Sequence, residues 1–105
     1  MVRAVFSQHC GEPVGFLLHG HAGAGNSGSD IVCAAVSSAA LMTANTVTEV
    51  LGVPAEIAER DGYLSVAIPA AYQAQCAALL RGLMLHLTAL ADQYPKNIQV
   101  SFTEV

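Results

Sequence analysis

Arg3 to His9 reads as a strand, with the short apolar run Ala4 to Phe6, and Val14 to His19 as a second, with apolar residues at Val14, Phe16 and Leu18, the period of a half-buried strand. The turn-prone run Gly11 to Pro13 between them predicts a hairpin. From Ser29 or Asp30 the spacing changes to that of a helix running to Leu51, where Gly52 supplies a stop and Pro54 prevents continuation. Glu56 to Arg60 and Tyr63 to Ile68 flank Asp61-Gly62, a strong signal for a second hairpin. Pro69 introduces a helix through about Gln93, with Tyr72, Cys76, Leu79, Leu80, Leu83, Met84, Leu87 and Leu90 on one face. After Pro95, Ile98, Val100 and Phe102 alternate with polar residues as a last strand. The order ββαββαβ predicts an α+β fold of two layers, with both helices on one face of a mostly antiparallel sheet. No repeat or linker divides the chain, so residues 1–105 are expected to form one domain.

Composition narrows the function classes. The chain is 53% hydrophobic and only 11% charged, which predicts a globular protein with part of its surface covered by something other than water. A net charge of −4 with four Lys and Arg residues supplies no basic patch, so nucleic acid is not an expected direct ligand and a cationic peptide suits the chain better. Residues 31–48 carry no formal charge and reach the length of a membrane span, but Ser37, Ser38, Thr43, Asn45 and Thr46 favour a packed central helix over a membrane segment. Three cysteines at irregular spacing, without a recognisable leader, predict a reducing, cytoplasmic setting and no disulfide. Cys10 beside a turn and Cys76 on an apolar helix face both have inert readings. No metal is expected, since His19 and His21 lack the clustered partners a zinc site requires. No cofactor is expected either.

Candidate chemistry concentrates in residues 20–33. His21 and Cys33 stand at the two ends of a glycine-rich loop, between the end of a strand and the start of a helix. With Ser29 or Asp30 as N-cap, Cys33 falls in the first helical turn, where unpaired N–H groups and the helix dipole favour a thiolate. His21, folded back, would hold the ion pair and hand a proton to a leaving amine. The same spacing also suits a buried cysteine and a hydrogen-bonded strand-end histidine, neither with any chemistry. Gly23 to Gly28 reads literally as G-x-G-x-x-G, but the preceding strand is expected to be antiparallel and the chain is too short for a doubly wound sheet. Read as a phosphate loop, the segment has Ser29-Asp30 where lysine is required.

Gly20-His21-Ala22, then Gly28, then Asp30-Ile31-Val32-Cys33-Ala34-Ala35 and Ser37 resemble, at the same spacing, the signature of the bacterial ribosomal-processing cysteine protease (Prp) family. Asn45 and the segment from Tyr94 to Val100 extend the resemblance over essentially the whole chain. It implies a cytoplasmic, homodimeric cysteine endopeptidase that removes the N-terminal extension of a large-subunit ribosomal protein. Cys33 would be the nucleophile and His21 the acid/base. Asp30 would support them by orienting His21, capping the helix, or both. Gly20, Ala22, Gly23, Gly28 and Ser37 are the expected substrate-binding positions, and backbone amides at the helix start, that of Cys33 included, the expected oxyanion donors. The chain departs from the family in Ala24 to Ser27, where aromatic or charged residues are common. Two other readings compete: a non-catalytic dimeric interaction module of the translation apparatus, and a redox-sensing thiol at Cys33.

Overall fold

A computed structural model describes residues 1–20 and 27–105, of which 27–30 by backbone alone. Strands β1 (Val2–His9) and β2 (Glu12–His19) form the first hairpin, followed by helix α1 (Ser27–Asn45). Strands β3 (Glu56–Arg60) and β4 (Tyr63–Ala67) form the second, followed by helix α2 (Gln73–Gln93) and strand β5 (Ile98–Glu104). The sheet order is β3-β4-β2-β1-β5, antiparallel throughout except for the parallel β1–β5 pair.

The first turn is tighter than expected. His9 pairs with Glu12, and Cys10 and Gly11 take φ of 52° and 82°, so these two residues make the turn and β2 already begins at Glu12. Pro13 is accommodated because the register shifts beside it: Gln8 pairs with Pro13 and Ser7 with Gly15, leaving Val14 as an extra residue whose carbonyl accepts the Ile68 N–H. Gly15 is required where β2 meets β4, since a Cβ there would stand 2.6 Å from the Val66 carbonyl oxygen.

One sheet face carries the core. Val2, Ala4, Phe6, Phe16, Leu18, Leu64, Val66 and Ile98 are buried against both helices, and Phe6 and Phe16 pack with ring centroids 6.0 Å apart. From α2 come Cys76, Leu80, Leu83 and Leu87, spaced by four, three and four, with Tyr72, Leu79, Met84 and Leu90 at the margins. Each buried leucine contributes about 1.5–3 kcal/mol. From α1 come Val32, Val36, Ala40 and Ala44, and buried Thr43 satisfies its hydroxyl by donating to the Ala39 carbonyl at 2.8 Å.

Helix α1 continues as one wider π turn (Thr46–Val50), in which the Leu51 N–H reaches the Thr46 carbonyl, before Gly52 at φ 66° ends it. Residues 31–50 and 70–93 are each long and apolar enough to cross a membrane, and here both lie on the sheet.

The helix begins two to three residues before the expected start. Ser27, not Ser29 or Asp30, is its first residue, and Gly28 lies within it. Cys33 is therefore the seventh helical residue, beyond the first turn.

Candidate active site

At the end of β2, a cleft of about 310 Å³ opens between α1 and the β3–β4 hairpin. Val2, Leu18 and Leu64, from three adjacent strands, form its apolar floor. One wall is the flank of α1, where Cys33, Val36, Ser37, Ala40 and Leu41 recur at helical spacing. The other is the continuous run Glu59 to Tyr63.

Cys33 is half-buried, at the border between the buried stripe of α1 and its exposed face, so its side chain borders the cleft while its Cα sits on a packed element. Ser37, one turn on, is exposed and lines the same cleft. The early helix start changes the electrostatics expected for Cys33. Among the described residues, the amides lacking an intrahelical acceptor are those of residues 27–29, whereas the Cys33 N–H has the carbonyl four residues back as its partner. The Cys33 amide is therefore not an oxyanion donor, and the helix dipole acts on the thiol from more than a turn away. Helical side chains lean toward the N-terminus, which carries the Cys33 Sγ back toward the amides of the first turn.

Gly20 lines the cleft in a backbone conformation only glycine adopts freely, with φ of 98°. Its N–H donates to the Gly62 carbonyl at 3.0 Å, fastening the end of β2 to the β3–β4 turn, and a Cβ would lie 2.3 Å from the Met1 carbonyl oxygen. Its expected role in substrate binding is thus accompanied by a backbone role: it sets the direction in which the chain leaves β2. His21, Ala22 and Gly23 lie outside the described residues, as does the Asp30 side chain. Gly28, expected in the loop, belongs to the first turn of α1.

Sequence reasoning missed the second wall. It identified Asp61-Gly62 as a turn, and Gly62 does take φ of 68°, but nothing local in the sequence connects that turn to Cys33. The connection is the antiparallel pairing of β2 with β4, which sets His19 opposite Tyr63 and Leu18 opposite Leu64 and so delivers the turn to the end of β2. Arg60 stacks on the Tyr63 ring at 3.7 Å.

The remaining cysteines stand apart. Cys10 is exposed in the first turn, and Cys76 is fully buried, with desolvation pushing its thiol up. Among the described residues no three His, Cys, Asp or Glu side chains gather closely enough to hold a metal ion.

A half-buried cysteine on the wall of a cleft, carried on a two-layer scaffold, is an arrangement suited to a cysteine nucleophile, and the class it defines is that of the cysteine proteases. The pattern of the cysteine protease Prp family matches residues 1–99, and the chain belongs to that family. Among solved structures it is similar to SMU.848 from Streptococcus mutans, with 29% identity, a TM-score of 0.83 and coverage of 100% of this chain and 96% of the other. It has the fold of the essential ribosomal processing protease Prp from S. aureus, with TM-scores of 0.86 in complex with a covalently linked product peptide and 0.87 with a substrate peptide. Identities there are 21% and 20%, and coverage is 98% of this chain and 100% of the other. No curated protein matches the chain.

Proposed function

We propose that this protein is a cytoplasmic, homodimeric endopeptidase that removes the N-terminal extension of a large-subunit ribosomal protein. The observation that carries the reading is Cys33 on a cleft wall, in a chain that belongs to the cysteine protease Prp family. The Cys33 sulfur attacks the scissile carbonyl carbon, and His21 takes the thiol proton and passes it to the departing amine. Water, deprotonated by the same imidazole, then releases the acyl group and restores the thiol. Asp30, the fourth residue of α1 and so not its N-cap, orients His21. Free amides of the first turn of α1 supply the oxyanion donors, and Ser37 lies one turn along from Cys33, where the peptide passes.

The homodimer is supported by the outer surface of the helical layer. Ile31, Leu41, Met42 and Val50 are exposed on α1, and between the helices runs an apolar groove of about 710 Å³ lined by Ala35, Ala39, Met42, Ala78, Gly82 and His86. A second copy covering this face accounts for its lack of charge.

A synthetic peptide spanning the ribosomal extension, followed by mass spectrometry, tests the activity. Wild type is expected to cleave it once, Cys33→Ala not at all, Cys10→Ala at the wild-type rate, and His21→Ala with a loss in kcat larger than the change in KM. Full cleavage by Cys33→Ala sinks the proposal. Cleavage by none of them, with a thiol that oxidises reversibly, would favour the redox reading.

A further inference from the structure

The wall of the cleft opposite Cys33 belongs to an unpaired sheet edge. Strand β3 pairs only with β4, so one row of its backbone N–H and C=O groups is left open. All five of its residues are exposed. Such edges are kept from indiscriminate pairing by charge, shortness or a covering element; β3 has the first two, as the five residues Glu-Ile-Ala-Glu-Arg, and no described element covers it, so its edge stays open to a partner of matching charge. Its alternation is informative. Glu59 lies opposite Leu64 and Ile57 opposite Val66, so both share the sheet face that α1 covers, whereas Arg60, opposite Tyr63, is on the other face. The acid is thus on the Cys33 side, and the adjacent cation, Arg60, which also borders the cleft, is engaged with the Tyr63 ring. Glu59 has no ion-pair partner among the described residues, and Asp61 follows at the same rim.

We propose that β3 is the specificity strand of the protease: an extended peptide adds to its open edge as a sixth strand, and Glu59 selects a lysine or arginine side chain at one position of that peptide. This rests on the reading of Cys33 as the site's nucleophile. Main-chain bonds to β3 supply sequence-independent affinity and fix the register, since alternate side chains of an added strand face alternate sides. Those on the α1 side meet Glu59, exposed Ile57 and Leu41 of the opposite wall. A cation there meets a carboxylate that has no ion-pair partner among the described residues, in a protein of net charge −4.

The test uses Cys33→Ala protein and a positional-scanning library of acetylated decapeptides, read by binding. Lysine and arginine are expected to be enriched over glutamate at one position. The preference should fall by about three- to tenfold in Glu59→Gln and turn toward glutamate in Glu59→Lys. N-methylation along the best peptide should then weaken binding at alternate residues only, the signature of a strand bonded on one edge. A charge preference unchanged in Glu59→Lys, an N-methyl scan without alternation, or no peptide binding at all overturns the proposal. Cleavage of the ribosomal extension by the wild type is measured separately, so loss of the specificity strand leaves the protease reading standing, and loss of cleavage does not mimic it.

Discussion

Gly20→Ala probes the backbone on which the site depends. An L-residue at φ of 98° costs about 1–2 kcal/mol. The new Cβ would also lie 2.3 Å from the Met1 carbonyl oxygen, an overlap that backbone must move to relieve, costing about 1–3 kcal/mol. A combined loss of about 2–5 kcal/mol is large beside a typical domain stability of about 5–15 kcal/mol, and a domain in the middle of that range stays mostly folded at room temperature. Urea unfolding followed by circular dichroism should show a lower midpoint with an unchanged slope. A chain beginning at Val2 and carrying Gly20→Ala should regain the overlap share but not the φ share. Because residue 20 precedes His21, peptide cleavage should fall by more than the unfolded fraction explains. A loss under about 0.5 kcal/mol would refute the argument, since it would mean that the end of β2 rotates freely and that the Gly20–Gly62 hydrogen bond does not fix it.

Two further outcomes are expected. The buried Cys76 thiol, pushed up by desolvation, keeps its proton to higher pH than the unfolded chain, whose thiol titrates near about 8.5. Its contribution to stability is full below that pH and is lost as pH rises through the raised folded value, so unfolding free energy should decline on the alkaline side more steeply in wild type than in Cys76→Ala, and equal slopes in urea titrations would contradict this. Met42→Lys, on the exposed face of α1 and the interhelical groove, should give monomers by sedimentation at concentrations where wild type is dimeric, and a wild type that is monomeric while fully active would remove the dimer.

The two hairpins, both helices and the last strand are legible in the sequence because each is signalled locally: alternation for strands, the Cys76-Leu80-Leu83-Leu87 spacing for α2, Gly52 and Pro54 for the end of α1. The start of α1 is less legible. Ser27, Ser29 and Asp30 are all acceptable helix openers, and Gly28 between them neither forces nor forbids a turn. That ambiguity of two to three residues moves Cys33 out of the first turn and removes its amide from the oxyanion donors. Cys33, Ser37 and Gly20 were identifiable as site residues and do line one cleft. Glu59, Asp61 and Tyr63 were not, because they arrive through the β2–β4 ladder, and pairing partners among several short strands of similar composition leave no mark within any one of them.

Strand β1 is paired on both sides, with β2 from the next residues of the chain and with β5 in parallel. The second partnership joins residues as far apart as Arg3 and Gln99, whose side chains also bond, 96 positions along. During synthesis the first hairpin can close early, but β1 keeps one edge exposed, and Val2 in the cleft floor stays without its neighbour Ile98, until β5 has been made. Strands β2 to β4 and both helices lie between β1 and β5 in the sequence, so the closing of the sheet on that side is a late event in folding, and the cleft floor rests on a strand whose second neighbour is the last to arrive.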